Sequence, residues 1–441
     1  MRILLTANAS YVPPRGGATR SNLIWLELLS AAGDSCRVVA SSLANDPGGK
    51  LEQIENEEIH VVPLPVDSRE AVEVVQRGAI AVFSVADPSR RNRVLREQIH
   101  EFRPDWLLVS SEDLGQMLLR EACAGAPGRV VYLAHTPQLF PFGPASWNPD
   151  PEGAELVRQC AAVVAIGRHT AQYIEQYTGI RPAVIHPPIY GGGPFEKFGS
   201  FDDGFVTMIN PCAVKGISIF LALAERFRDC PFAAVPGWGT TVADRRDLER
   251  LPNVTLLPNV KRIEQVLRRT RVLLMPSLWY EGFGLSVMEA LLHGIPVLAS
   301  DSGGLLEAKM GTRFVVPVRP IERYEPVFDE HGLPKPIAPP QNIEPWSDAL
   351  RKLLSDRSLY CHVSEASRAR ALRFVSGIRP GQMQAFLQNL APAARTAVPA
   401  EPARLPPLKS QEALAKLSNS KRALLLQRLR QKAAARQGAP Q

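Results

Sequence analysis

No stretch of the sequence approaches the roughly 18 consecutive apolar residues that a membrane-spanning helix needs, so the chain reads as soluble or peripheral. The six cysteines (Cys36, Cys123, Cys160, Cys212, Cys230 and Cys361) form no C-x-x-C pair and no metal-ligand spacing. That excludes a zinc site, predicts no disulfide, and fits a reducing cytoplasm in which thiols serve as small apolar side chains. The opening Met1-Arg-Ile-Leu-Leu-Thr-Ala-Asn8 is too short an apolar run for a secretory leader and has no cleavage site after it; it reads as a first buried strand. Basic charge is missing from the body of the chain. Net charge is +7, but residues 409–441 alone hold eight Lys or Arg against one Glu, which accounts for the whole surplus. The first 408 residues are balanced, so a groove tracking phosphates along the body is unsupported and no nucleic-acid partner is expected.

What is present is the content of a globular protein: 441 residues, 45% hydrophobic and 22% charged, enough for two or three domains. Short apolar runs (Ile3–Thr6, Cys36–Ala40, Trp106–Val109, Val130–Ala134, Ala162–Ile166, Ala183–His186) alternate with amphipathic stretches, as in a doubly wound, mostly parallel α/β sheet. The Pro/Gly cluster from Pro187 to Pro194 interrupts the rhythm, which restarts with Val206–Ile209, Phe232–Val235, Val254–Leu256, Val272–Met275 and Pro296–Ala299. The expected architecture is two Rossmann-like domains, 1–190 and 191–376, with a cleft between them and a return helix over 377–390. Prolines in 319–345 exclude a helix or central strand there and predict a long ordered loop or lid, with Tyr324 and Phe328 packing it down. An Ala/Pro tether over 391–408 and a basic helical tail over 409–441, N-capped by Ser420, complete the chain.

The most informative stretch is Arg271-Val-Leu-Leu-Met-Pro-Ser-Leu-Trp-Tyr-Glu281-Gly-Phe-Gly-Leu-Ser-Val-Met-Glu289-Ala-Leu-Leu-His-Gly294-Ile-Pro296. A strand ends at Pro276, a turn carries Glu281 and two glycines, and a helix runs from about Gly284 to before Gly294. Free amides at a helix N-terminus, its positive dipole end and glycines that admit a ligand to the backbone make an anion seat. Glu281 can reach hydroxyls beside an anion, and Glu289 can accept from a diol. Two glutamates eight apart are ordinary; the complete string resembles the signature of the family 4 glycosyltransferases of the two-Rossmann, GT-B fold, over about residues 1–390.

That resemblance implies retaining transfer from a nucleotide-diphosphate sugar, with no metal and no other cofactor. It implies sugar contacts from Glu281 and the backbone of Gly282, Phe283 and Gly284, phosphate contacts at Leu285 and Ser286, and a ribose contact from Glu289. Lys215, in Val206-Thr-Met-Ile-Asn-Pro-Cys-Ala-Val-Lys215-Gly216, matches the family's diphosphate lysine. The arginine usual five positions earlier is Asn210 here, so Lys215 must carry more of the charge or another base must help. Gly16 and Gly17 match the glycine loop facing the donor diphosphate and acceptor across the cleft. His135, at the end of an apolar run where open sheets place ligands, is either structural or the histidine that the family sets beside the reacting carbon. His169, His186 and His293 are expected to be structural, and Asp202-Asp203 is not a metal-binding D-x-D.

The acceptor is less legible. Ser110-Ser111-Glu112-Asp113 and Gln138-Leu-Phe-Pro-Phe-Gly143 follow strand ends and are candidate acceptor loops; the second suits an apolar acceptor or is plain packing. The segment Leu417–Arg430 resembles linker helices of nonribosomal peptide and polyketide synthetases, which implies a peptide or polyketide acceptor and contact with a carrier protein or synthetase. Alternatively it is an interfacial helix on anionic lipid, suiting a lipid or polysaccharide acceptor, or a basic tail without a partner. A non-catalytic or epimerising sugar-nucleotide protein of this fold is the other class open to the sequence.

Overall fold

The computed structural model describes residues 1–11, 14, 16–42, 60–62, 72–85, 87–260 and 262–393. The tether beyond residue 393 and the basic tail, with the synthetase and membrane contacts expected of them, lie outside the described residues. Among those described, no helix is long and apolar enough to cross a membrane.

The first sheet has nine strands: β1 (Arg2–Ser10), β2 (Ser35–Ser41), β3 (His60–Val62), β4 (Val72–Arg77), β5 (Ile80–Val85), β6 (Trp106–Ser110), β7 (Val130–Ala134), β8 (Ala162–Ala165) and β9 (Ala183–Val184). Their order is β3-β4-β5-β2-β1-β6-β7-β8-β9. From β5 to β9 every pairing is parallel, and β3 and β4 add an antiparallel edge. This edge is the part of the sheet the expected strands omit. Arg77 pairs with Ile80 across a two-residue turn that Gly78 makes by entering the left-handed region (φ 56°). The central strands are buried along their length because helices cover both faces, so they read as continuous apolar runs.

The second sheet is β12-β11-β10-β13-β14-β15, all parallel, with β10 (Phe205–Ile209), β11 (Phe232–Val235), β12 (Val254–Leu256), β13 (Thr270–Met275), β14 (Val297–Ser300) and β15 (Val315–Val316). Each sheet reverses its order at a first strand, β1 or β10, and ligands of such sheets bind beyond the carboxyl ends of the strands at that reversal. The helix Glu344–Ser355 seals the second core with Trp346, Leu350 and Leu353. After Arg357–Ser376, the chain returns to the first domain through Gln382–Asn389: Trp106 Nε1 donates to the Leu387 carbonyl (3.0 Å) and Gln384 Nε2 to Asp34 Oδ2 (3.0 Å).

The proline-rich segment is ordered as a two-stranded antiparallel hairpin, β16 (Tyr324–Phe328) and β17 (Pro334–Pro336). Proline fits here because an isolated pair of strands has two edges and needs few amide donors. The hairpin is tied to the second domain by Glu330, which accepts from the Val242 amide (2.9 Å), and by His331 Nε2 against the Thr240 carbonyl (3.0 Å).

Candidate active site

The loop leaving β13 delivers Glu281 into a nest of donors from its own domain. Lys215 Nζ (2.6 Å), Trp279 Nε1 (2.8 Å) and Ser277 Oγ all donate to Glu281 Oε1. One carboxylate oxygen is thus saturated, and Oε2 is left for an incoming hydroxyl. Lys215 reaches this point because Gly216, at φ 82°, lets the chain pass directly against the end of β13; a Cβ there would lie 2.0 Å from the Pro276 carbonyl oxygen. The ammonium also lies 4.6 Å from the centre of the Trp279 ring, a cation–π placement that holds it over the loop.

Gly284 (φ 108°) then starts the helix Leu285–Leu292, whose first amides, at Leu285 and Ser286, have no partner within the helix. Gly282 comes from the domain-two loop but touches domain one: a Cβ on it would stand 2.1 Å from the His135 carbonyl oxygen, and its own carbonyl accepts from Thr170 Oγ1 (2.9 Å). Phe283 is buried beside His186 and Phe374. Gly16 (φ 82°) opens the first helix, Gly16–Ala31, and Gly17 faces Leu285 so closely that a Cβ would be 2.9 Å from its Cδ1. Sequence segments more than 250 residues apart therefore meet at the N-terminus of one helix.

Glu289 is buried, and Arg20 of the first domain reaches across to it (2.8 Å). Burial pushes the Glu289 carboxyl up, against the pull of Arg20. His135 is buried, with Nε2 2.9 Å from Asn22 Oδ1, and burial lowers its imidazole to about 3, so it is neutral at ordinary pH. Asn210 is turned away from any anion. In the left-handed region at φ 56°, it accepts the Gly239 amide (3.0 Å) and braces the Gly237–Gly239 turn. Arg20, three residues after the glycine pair, brings a cation of the first domain to Glu289, a pairing the sequence does not reveal. Ser277 and Trp279 are likewise invisible as site residues until Glu281 is seen in place.

Glu307 clasps the two domains. It lies on the helix Leu305–Lys309 of domain two, and its carboxylate takes the Arg168 amide (2.6 Å), Arg168 Nε (3.2 Å) and His186 Nε2 (2.8 Å) of domain one. Burial raises this carboxyl, but His186, Arg168 and the His169 amide together hold it below its ordinary value. His186, expected to be structural, is part of this clasp. A depressed carboxyl stabilises the fold above its unfolded pKa, and the contribution is lost as pH falls through the folded value. Glu307→Gln should therefore cost about 2 kcal/mol at neutral pH, discounted for the exposed Arg168. Thermal melts across pH should show the gap to wild type closing below the ordinary carboxyl range.

The two acceptor loops part company. Phe140 and Phe142 are buried in the first domain's core, whereas Gln138 is buried against the Tyr280 backbone of the second domain's loop. Further along the aromatic loop, Trp147 meets Trp279 (6.0 Å) and Tyr324 of the hairpin (5.8 Å), joining both domains and the insert at the cleft's mouth. His293 stacks on Phe198 (4.2 Å), and Asp202 pairs with Arg357. Among the described residues, no group of three or more His, Cys, Asp or Glu is arranged to hold a metal ion.

Comparison with known proteins bears on this geometry. The family model "Glycosyltransferase Family 4" matches residues 15–190, and "Glycosyl transferases group 1" matches residues 204–356. No curated protein is a significant match. Among solved structures, sucrose-phosphate synthase from Thermosynechococcus elongatus superposes with a TM-score of 0.62 at 15% identity, covering 88% of this chain and 99% of that one. Anabaena HepE in complex with UDP and glucose gives 0.58 at 17%, over 88% and 100%. Staphylococcus aureus TarM, in a complex that includes UDP, gives 0.60 at 10%, over 88% and 99%. With a Family 4 domain followed by a group 1 domain on two Rossmann-like sheets, the chain belongs to the glycosyltransferases of the GT-B fold.

Proposed function

We propose that the enzyme transfers a hexosyl or pentosyl unit from a nucleotide-diphosphate sugar to a hydroxyl of a peptide or polyketide natural product in the cytoplasm, with retention and without a metal. The observation that carries the donor half is the Lys215–Glu281 pair beside the N-terminus of Leu285–Leu292, closed by Gly17. The acceptor half rests on the resemblance of Leu417–Arg430 to synthetase linker helices. Glu281 Oε2 binds sugar hydroxyls and Glu289 the ribose diol. The ribose displaces Arg20 from Glu289, and the freed guanidinium turns to the diphosphate, supplying the second cation.

In the reaction, the bond from sugar C1 to the phosphate oxygen breaks as the acceptor oxygen bonds to C1 from the same face. The acceptor's proton passes to the departing phosphate. Lys215, Arg20 and the amides of Leu285 and Ser286 stabilise the negative charge as it develops. Burial keeps the His135 imidazole neutral, so in this reading it sits beside the reacting carbon as a neutral ring rather than a cationic acid. A melting-temperature screen with UDP-, GDP- and ADP-sugars identifies the donor. In that donor, Glu281→Ala should lower kcat by about a hundredfold or more. Turnover that survives Glu281→Ala at the wild-type rate sinks the assignment, and no shift with any nucleotide sugar sinks the donor reading itself.

A further inference from the structure

We infer that Gln138 of domain one is a positioning residue for the sugar seat of domain two: its carboxamide sets the main chain of Tyr280, and through it the aim of Glu281, so that the seat takes its working form only with the domains closed. The inference rests on the transfer reading above and assigns a residue to which that reading gives no task.

Glu281 draws its side-chain partners from its own domain, yet the main chain on either side of it is gripped by domain one. Before it, the Gln138 carboxamide lies along the Tyr280 peptide groups. Its oxygen accepts the Tyr280 amide (3.1 Å) and its NH2 donates to the Tyr280 carbonyl (3.2 Å). The Tyr280 hydroxyl donates to the His169 carbonyl (3.0 Å), and the ring packs edge-on against Tyr173 (5.2 Å). After it, the Gly282 carbonyl accepts from Thr170 Oγ1 (2.9 Å), and the His135 carbonyl stands where a Cβ on Gly282 would be.

Of these groups, Gln138 makes the contact most sensitive to its own chemistry. It follows Pro137 in the short turn Pro137–Leu139 just after β7 and is only 2% exposed, so water does not stand in for it. Its own carbonyl accepts the Trp147 amide (2.9 Å), and Trp147 packs on Trp279 (6.0 Å). One turn of domain one thus reaches both residues that precede Glu281. A carboxamide carries a donor and an acceptor in one plane and can pair with the N–H and C=O of a single residue as a neighbouring strand would. A leucine there offers neither, and a glutamate offers the donor only when protonated. The groups assigned to the diphosphate and ribose, Lys215, the Leu285 and Ser286 amides and Glu289, are not among those Gln138 holds. Loss of the pair therefore loosens sugar recognition and leaves the hold on the nucleotide in place.

The test uses the full-length enzyme with the nucleotide sugar that the melting screen selects and the matching nucleoside diphosphate. Gln138→Leu should keep the melting shift given by the nucleoside diphosphate and lose the extra shift given by the sugar. At saturation it should release nucleotide from the donor about tenfold or more slowly. Gln138→Glu separates pairing from packing: protonated, it again offers Tyr280 a donor and an acceptor, whereas ionised it sets an acceptor against the Tyr280 carbonyl. Its rate relative to wild type should rise at least about threefold as pH falls from about 8 to about 5, while the same ratio for Gln138→Leu stays flat. The titratable side chains around this point, Glu281, Lys215, Tyr280, Tyr173, His135 and His169, are common to all three forms and cancel in the ratio. The proposal is overturned if Gln138→Leu keeps the extra sugar shift or the wild-type rate, if it loses the shift with the nucleoside diphosphate, or if the two ratios follow pH alike. It is also overturned if wild type gives no extra shift with the sugar. Should Gln138→Leu fail to fold, the pH ratio of Gln138→Glu decides alone. Failure of the transfer reading is distinct: wild type would then give no shift with any nucleotide sugar, or bind one and release no nucleotide from it.

Discussion

Gly282→Ala should lower kcat/KM by at least about a hundredfold while leaving nucleotide binding in place, because near-attack geometry is lost when reacting groups are displaced by an ångström. The added methyl would lie 2.1 Å from the His135 carbonyl oxygen and 3.2 Å from Ile166 Cδ1. Ile166 can rotate away; the His135 carbonyl is backbone at the end of β7 and cannot. Nor can Gly282 retreat, since its own carbonyl is 2.3 Å from where a Cβ on Gly304 would stand and is bonded to Thr170. The strain is relieved by separating the two domains, which draws the backbone at His135 away from the loop that carries Glu281. Lys215, Glu281 and the amides at Leu285 and Ser286 all belong to domain two, so the melting shift with nucleotide should persist. Gly284→Ala is the contrasting control: it meets side-chain atoms, Leu305 Cδ2 at 2.7 Å, but must hold φ 108°, so its strain falls on the donor helix and should weaken nucleotide binding. If Gly282→Ala turns over normally, the cleft does not react in this closed arrangement.

This distinction shows where the sequence is legible. The strand-loop-helix around Glu281 can be read because its signals are local: an apolar run, two glycines before a helix and glycine and proline after it. The same holds for the alternation that gives both sheets. The antiparallel edge of β3 and β4 escapes because its strands are short, three and six residues, and its turn depends on a single glycine. The hairpin at 324–336 reads as irregular because its prolines argue against a central strand, and it is not one. At the site, the missing information is mostly pairing over distance. Arg20 and Glu289 are 269 residues apart, and Arg168 and Glu307 are 139 apart. No periodicity links such residues, and each looks like a surface charge until the domains are brought together. Asn210 shows the converse limit: its position in the motif points to a ligand, whereas its backbone conformation and the Gly239 amide give it a structural occupation.

Lys215→Met should reduce kcat by about a hundred- to a thousandfold, the scale associated with losing one preorganised group that meets transition-state charge. The side chain has two connected roles, and they can be separated. In the free enzyme its ammonium neutralises Glu281, which is only 7% exposed; Trp279 and Ser277 remain as donors but carry no charge. Removing the ammonium leaves a buried carboxylate without a cation, so the variant should also melt at a lower temperature. In the proposed reaction, the same ammonium would meet the charge growing on the diphosphate in the transition state. Glu281→Gln placed in the Lys215→Met background removes the stranded charge and should restore most of the melting temperature. It should restore none of the rate, because the cation is still absent. If Lys215→Met costs no further rate in the Glu281→Gln background than Glu281→Gln costs alone, Lys215 acts only by holding Glu281 in place. The residual turnover of Lys215→Met then reports on Arg20: Arg20→Ala added to it should lower turnover further, and Arg20→Ala alone should also lower kcat, by less than Lys215→Met does.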